Sequence, residues 1–139
     1  MTQPNENATG QDAFRPADER LYEYAVIRFV PDVEREEFIN VGLVMMCKRR
    51  RQLCGAIVLD EAKAKQLDPE ADLERLRRQL SLFERTDIPS ADLPVEERYR
   101  WLAATKSAII QVSPSHPGLM LPDETFEQAF ERLLTTLVK

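Results

Sequence analysis

Three residues with strong hydrogen-bonding heads lie on segments that read as β-strands: Arg28, Asn40 and Gln111. An arginine guanidinium is a rigid donor fork that suits an anion, and asparagine and glutamine amides both donate and accept. If these segments pair in one sheet, Gln111 and Ser113 come close to Asn40 and Arg28, with His116 above them. The pattern then predicts a pocket for an anion or a polar small molecule. The alternative is a solvated sheet face, which is normal in an antiparallel domain.

His116 is the only histidine of the chain, and it could act as a general acid or base near neutral pH. It stands between Pro114 and Pro117, where it could instead cap a loop. Ser113 or Ser115 could complete a Ser/His/acid triad by composition, but no nucleophile-elbow spacing supports one. The sequence therefore indicates no catalytic residue, and both interpretations of this loop remain open.

A run of charges precedes an asparagine and a glycine in the stretch VEREEFINVG. Arg35 and Glu36 belong to the connection between two strands and Glu37 begins the second strand; charge at such a position costs little and discourages edge pairing. If the second strand alternates regularly, Asn40 and Gly42 share one face of it. A glycine inside a strand indicates a bulge or the close approach of another backbone. We therefore count the three charged residues and Asn40 among the candidate ligand- or partner-binding residues.

The bulk composition is that of a globular protein with one domain. The chain has 139 residues, of which 31% are charged, and its formal net charge is −5. This acidic balance argues against bulk binding to nucleic acid or to anionic membranes, because such binding usually shows as a basic excess. A basic hairpin tip, KRRRQ at residues 48–52, could dock a phosphate or an acidic partner, or it is a solvated turn.

No targeting or membrane-spanning segment is visible in the sequence. The longest apolar run, Val41–Cys47, is too short to span a bilayer, and the first twenty residues lack an apolar stretch of signal-peptide length. The two cysteines make neither a disulfide scaffold nor a zinc site. We therefore expect a cytoplasmic protein with reduced thiols, no metal and no cofactor.

Residues 1–19 are polar and are predicted to form a disordered tail, so that residues 20–139 make a single domain. β-Branched and aromatic runs predict strands, and apolar residues spaced by three and four predict helices. The predicted strands cover residues 21–30, 37–48, 53–59 and 107–113. The predicted helices cover residues 61–67, 69–85, 94–105 and 124–138, and residues 114–122 are expected to be a loop.

This order of elements predicts an α+β domain: an antiparallel sheet of about four strands with helices packed on one face. Three strands form a meander and one strand is added later in the chain. A hairpin centred between Arg50 and Arg51 would place Cys47 directly opposite Cys54. Regular alternation puts Cys47 on an apolar face, so we predict two neighbouring free thiols that are buried and unreactive.

The strings YEYAVIRFVPDVEREEFINVGLVMMC, RYRWL and SAIIQVSPSHPG, with the closing amphipathic helix, resemble the signature of a bacterial family known as domain of unknown function 3037. The resemblance covers about residues 21–139, and where the family pattern has a threonine after the histidine, this chain has Pro117. The polar positions that match the family pattern are Arg35, Glu36, Glu37, Asn40, Gly42, Ser107, Gln111, Ser113, His116 and Gly118. The resemblance brings no activity with it. It implies a small accessory protein, often encoded beside a HipA-like kinase, and hence a kinase-like protein partner.

Two functions from different classes follow from the sequence. The leading hypothesis is a non-enzymatic accessory domain that binds a protein partner. Its rival is a domain that binds or hydrolyses a small ligand through Arg28, Asn40, Gln111 and His116. Binding of nucleic acid by the basic tip is a third hypothesis, and it predicts a steep dependence on salt.

Overall fold

The computed structural model describes residues 16–105 and 107–139, which form a five-stranded antiparallel sheet and five α-helices. The strands are β1 (Leu21–Asp32), β2 (Glu37–Cys47), β3 (Gln52–Ile57), β4 (Ile110–Val112) and β5 (His116–Leu119). The helices are α1 (Ala17–Arg20), α2 (Glu61–Leu67), α3 (Leu73–Leu80), α4 (Val95–Ala103) and α5 (Phe126–Leu137). Short 3-10 turns span Val33–Arg35 and Ser81–Glu84. The predicted α+β class with an antiparallel sheet is confirmed.

The strand order is β3-β2-β1-β4, and β5 pairs with the same edge of β1 as β4 does. The later strand of the prediction is thus two strands, separated by a break at residues 113–115. Proline in the sequence had indicated a loop here. However, Pro117 lies opposite Glu23, whose backbone groups face β2, so the missing N–H of the proline costs no bond to β1.

Helices cover both faces of the sheet, and not one face as predicted. One core lies between the sheet and helices α2 to α4, with Ile27, Phe29 and Phe83 among its buried residues. The second core lies between the opposite face and α5, where Leu43 and Phe130 are buried. The difference arises because β1 and β2 carry apolar residues on both faces, which a single layer of helices cannot bury.

A β-bulge interrupts the pairing of β2 with β1. Ile27 is opposite Gly42 and Arg28 is opposite Asn40, which leaves Val41 as an extra residue on β2. A bulge reverses the alternation beyond it. Asn40 and Gly42 therefore lie on opposite faces, contrary to the expectation from regular alternation, and Val41 joins the core under α2 to α4.

The turn between β2 and β3 is longer than the predicted hairpin. Cys47 is opposite Gln52 and Cys54 is opposite Met45, so the predicted pairing of the two cysteines is wrong. Two-residue turns need positive φ at their central positions, which arginines resist. The chain instead forms a four-residue turn that ends with Arg51 at a φ of 54°. Both cysteines are free; Cys47 is buried and Cys54 is half-buried, and burial raises the pKa of the Cys54 thiol.

Side-chain caps set the ends of most helices. Asp60 accepts from the amide of Lys63 and begins α2 at the predicted residue. The predicted long helix over residues 69–85 begins instead at α3, where Asp72 is the cap, and its last turn is 3-10. Thr125 and Gln128 form a capping box that begins α5 at Phe126, two residues after the predicted start of this helix. None of the described helices is long and apolar enough to span a membrane.

The predicted tail over residues 1–19 lies mostly outside the described residues, since the structure describes the chain from Pro16 onward. Its last residues form α1, a single helical turn. Asp18 on this turn pairs with Arg49 of the β2–β3 turn, which holds the pKa of Asp18 below its ordinary value.

Candidate functional site

Arg28, Asn40 and Gln111 lie side by side across three strands. Arg28 is opposite Asn40 on β2 and opposite Gln111 on β4. Directly opposed residues point to the same face, so the three heads form one line on the face that α5 covers. We call these three residues the polar row. The bulge at Val41 is what makes the line, because it turns Asn40 to this face.

The polar row meets the end of α5 and an exposed aromatic ring. Asn40 Nδ2 donates to the carbonyl oxygen of Leu137 at 2.9 Å, which caps a carbonyl that no helical amide reaches. The Arg28 guanidinium carbon lies 4.4 Å from the centroid of the Phe38 ring, a cation–π arrangement. Asn40 therefore has a structural role, because it holds the C-terminal end of α5 against the sheet.

Two buried atoms of the polar row have no hydrogen-bond partner among the described residues: Arg28 Nε and Asn40 Oδ1. One is a donor and the other an acceptor, and they stand on neighbouring strands. A buried polar atom without a partner is costly, about 1–3 kcal/mol. Their complementarity suits a small group that accepts from Arg28 and donates to Asn40.

The Ser113 hydroxyl is hydrogen-bonded to backbone groups on both sides. Its Oγ accepts from the amide of Val26 at 2.9 Å and donates to the carbonyl of Pro114 at 2.9 Å. Its own amide donates to Val26 at 2.8 Å. The side chain thus replaces a strand carbonyl at the break between β4 and β5, and this role explains why the hydroxyl is buried.

Ser115, the residue before β5, and His116 contact opposite faces of the sheet, so the structure does not form the Ser115–His116 pair that a triad would need. The His116 ring lies against Tyr24, with centroids 5.4 Å apart, and the residue is exposed. Ser115 Oγ donates to Glu23 at 3.0 Å and lies 2.6 Å from Tyr99 Oη. Because Ser115 donates its single hydroxyl proton to Glu23, the Tyr99 hydroxyl donates to Ser115, and burial raises the pKa of Tyr99 to about 12.

The charged connection at Arg35 to Glu37 is exposed and separate from the polar row. Arg35 Nε donates to Glu37 at 2.9 Å, and this contact lowers the pKa of Glu37. Glu36 adopts a left-handed conformation with a φ of 56°, which lets the chain turn into β2. The structure does not bring these three residues together with Arg28 or His116.

Two of the four basic residues in the tip at residues 48–52 are ion-paired within the described part of the chain. Lys48 lies 3.7 Å from Glu96, and Arg49 pairs with Asp18. Arg50 donates to the carbonyls of Glu19 and Glu124. These contacts favour a structural role for Lys48, Arg49 and Arg50, whereas Arg51 forms no ion pair with a described residue.

One end of the sheet carries exposed apolar residues that none of the helices within residues 16–105 and 107–139 covers. Leu21 on β1 is directly opposite Leu119 on β5, and they are 52% and 45% exposed. A cavity of about 490 Å³ begins beside them and is lined by Leu21, Met46 and Pro117, with charged residues around it. We call this region, defined by the exposed Leu21, Leu119 and Pro117 with the buried Met46 at the base of the cavity, the bare end.

The contacts of α4 mark where its cover of the sheet stops. Tyr99 reaches Glu23 through Ser115, and Glu96 reaches Lys48. Leu21 and Leu119 share the face of Glu23 by alternation and lie one pair further toward the end of β1. They therefore extend the apolar face beyond the helices.

A family model described as protein of unknown function (DUF3037) matches residues 24–138. The chain belongs to this family. The match spans the polar row, the bulge and β5, and the family description carries neither an activity nor a partner. No curated protein and no solved structure matches the chain.

The DUF3037 chain carries the bare end where sequence reasoning expected a loop. The signal was present in HPGLML, since Leu119 and Leu121 alternate with other residues as a strand requires, but the flanking prolines outweighed it. Leu21 was predicted to lie on a strand, but its pairing with Leu119 was not predicted, because residues 114–122 were expected to be a loop. In the described part of the chain, no three His, Cys, Asp or Glu side chains form a group that could hold a metal ion.

Proposed function

We propose that this chain is a protein-interaction domain whose partner docks on the bare end of the sheet. The observation that carries the proposal is the pair of opposed leucines, Leu21 and Leu119, each about half exposed on a flat strand surface. Clustered apolar side chains beside a groove are typical of protein–protein contact sites, whereas single exposed ones are ordinary.

The surroundings of the bare end suit a protein surface better than a small apolar ligand. Charged residues of both signs border the groove, including Asp18, Lys48 and Arg49. A partner interface usually has an apolar centre and a polar rim. The rim charges are already paired within the chain, so they can meet a partner without leaving isolated buried charges.

The contacts of the serine hydroxyls and of the imidazole favour a non-enzymatic function. Ser113 is bound on both sides to backbone, and Ser115 and His116 contact opposite faces of the sheet. The family resemblance suggests a HipA-like kinase as the first partner to test. Nothing in the contacts described above depends on that choice.

The experiment compares capture by three immobilised full-length chains: the wild type, the double variant Leu21→Glu with Leu119→Glu, and Val33→Glu. Val33 is a matched control, because it is 53% exposed and apolar but lies in the turn before β2. Proteins captured from cell lysate are quantified by mass spectrometry, and the most abundant of them is purified and titrated against each chain. A purified HipA-like kinase is titrated in parallel.

The expected result is one protein retained by the wild type and by Val33→Glu, with at least about tenfold less on the double variant. Burying a charge against an apolar partner costs well over the 1.4 kcal/mol that a tenfold loss requires. Equal capture by all three chains overturns the bare end as the docking surface. Circular dichroism of each variant shows that the fold is intact.

A second function, binding of a small polar anion at the polar row, has one specific observation in its favour. Arg28 has no carboxylate partner among the described residues, and its Nε is buried without a hydrogen bond. The test is a thermal-shift series with phosphate, sulfate and nucleotides on the wild type and on Arg28→Gln. Stabilisation of the wild type alone supports the anion site, because a ligand of the native state raises its stability by mass action. Equal shifts, or none, exclude it.

A further inference from the structure

Strand β3 forms the free edge of the described sheet, since it pairs with β2 on one side only. A free edge presents unpaired backbone amides and carbonyls, which can pair with another chain. Proteins commonly protect such edges with loops, charges or prolines. The question is which backbone groups of β3 point outward, and what surrounds them.

The register fixes which residues of β3 face outward. The amide of Val58 donates to Val41 at 2.8 Å, so Val58 and alternate residues before it, Ala56 and Cys54, bond to β2. The backbone N–H and C=O groups of the residues between them point away from β2. Ile57 shows this directly, because its amide donates to Glu84 Oε2 at 3.3 Å outside the ladder. The N–H and C=O groups of Leu53 and Gly55 therefore point outward.

A cavity of about 500 Å³ runs along this edge beside residues 51–54. One wall comes from α4 through Val95 and Arg98, and the other from α5 through Phe126 and Phe130. Since these helices belong to the two layers that sandwich the sheet, the space between them continues the plane of the sheet. An additional strand would fit there, with its side chains pointing alternately to the two walls.

The two walls differ in charge. On the α4 side, Arg98 donates to the carbonyls of Leu93 and Thr86, and neither Arg98 nor Arg51 is ion-paired with a described residue. On the α5 side, the cavity is lined by Phe126 and Phe130, whose rings are mostly buried in the core, and by the acidic Glu127 and Glu131. A segment that fits would place acidic side chains toward the arginines and apolar side chains toward the phenylalanines.

We propose that the β3 edge binds an extended segment of a partner protein as an added strand, with an acidic side chain toward Arg51 and Arg98. Strand addition of this kind derives affinity from main-chain bonds and specificity from alternate side chains. The β3 edge and the bare end are separate surfaces, so this proposal stands on its own observations and fails or succeeds independently of docking on Leu21 and Leu119.

The test uses two synthetic probes, acetyl-Thr-Val-Glu-Val-Thr-Val-amide and the same peptide with lysine in place of glutamate. Each is titrated into the full chain labelled with nitrogen-15, and amide shifts and hydrogen exchange are recorded by NMR. The glutamate probe should slow exchange at Leu53 and Gly55 selectively, because the amides of Cys54 and Ala56 are already bonded to β2. It should bind up to about fivefold more tightly than the lysine probe, as one exposed ion pair allows.

Three variants separate strand addition from other modes of contact. Leu53→Pro removes the outward amide at position 53 without removing a bond to β2, and it should abolish the exchange protection of the Gly55 amide by the glutamate probe. Leu53→Ala keeps the amide and should retain that protection. Arg51→Glu should reverse the preference between the two probes. If Leu53 and Gly55 are already protected in the free chain, or if Leu53→Pro binds the glutamate probe like Leu53→Ala, the proposal is wrong.

Discussion

Strand β1 passes through two regions in which burial and residue type are reversed. Near its C-terminal end, Arg28 is half-buried in the polar row beneath the end of α5. Near its N-terminal end, Leu21 is 52% exposed at the bare end. The cover provided by the helices decides this pattern, because the polar row lies under a helix and the bare end lies beyond one.

The difference teaches which polar and apolar residues have a folding role. Asn40 is held under α5 because it caps the helix terminus, so its polarity stabilises the native packing. Leu21 and Leu119 are about half exposed in the described part of the chain, so we expect their apolar surface to contribute little to the stability of the fold. Each prediction below changes one side of this comparison.

The largest effect is expected at the bulge that orients the polar row. An alanine at Gly42 would place its Cβ 2.6 Å from Ile57 Cδ1 and 2.8 Å from the carbonyl oxygen of Ala56. Since a β3 backbone atom would have to move, Gly42→Ala should lower the free energy of unfolding by about 1–3 kcal/mol. Denaturant unfolding measures it, with Val33→Ala as an exposed control that changes stability by less than about 0.5 kcal/mol. An unchanged midpoint would show that the bulge is not tightly packed.

A smaller loss is expected at Glu124, which holds the segment between the bare end and α5. Its carboxylate accepts from Arg132 at 2.8 and 2.9 Å and from the amide of Leu121 at 3.1 Å. Glu124→Gln should lower the free energy of unfolding by about 2 kcal/mol at neutral pH, because charge-assisted bonds are lost. Glu131→Gln is the matched control, since its pair with Lys139 is exposed and contributes less than about 1 kcal/mol.

The pH dependence of this variant follows from the direction of the shift. Arg132 holds the pKa of Glu124 below its ordinary value of 4.5. A lowered folded pKa contributes stability that is present above the unfolded pKa and is lost as the pH falls through the folded one. The difference between the wild type and Glu124→Gln should therefore shrink below about pH 4.5. A difference that is constant between neutral pH and pH 3 would contradict the ion pair.

A change at the polar row itself should cost about 1 kcal/mol. Asn40→Leu removes the bond to the Leu137 carbonyl. It also exchanges one unpaired acceptor, Asn40 Oδ1, for another, the Leu137 carbonyl oxygen, so the net loss is that of the hydrogen bond. Gln111→Leu is the matched control, because the Gln111 amide makes no hydrogen bond to another described residue. If Asn40→Leu stabilises the protein in thermal unfolding, the polar row has no role in holding α5.

The sequence predicted the elements with a local physical cause. The aspartate cap and apolar spacing set α2 at Glu61–Leu67, and both are visible within one helical turn. The long β1 and β2 strands were equally clear from their β-branched and aromatic runs. The grouping of Arg28, Asn40 and Gln111 on one face also emerged, although the alternation assumed for Gly42 was incorrect.

The missing features depend on contacts between distant segments. The bulge at Val41 exists because Asn40 bonds to a helix end 97 residues away, and no local pattern records that bond. The second helical layer exists because α5 packs on the face of the sheet opposite to helices α2 to α4. The β2–β3 register depends on the conformation of a turn without glycine. Because this turn is longer than predicted, Cys54 lies opposite Met45 and not opposite Cys47.

The most direct test of the account is the free energy of unfolding of the double variant Leu21→Thr with Leu119→Thr. Threonine keeps strand propensity, so the measurement reports the loss of the apolar side chains alone. If the bare end is an interaction surface, the pair together should lower the free energy of unfolding by no more than about 1 kcal/mol. A loss of about 2 kcal/mol or more for each leucine, as for buried ones, would place both residues in the core and contradict the account.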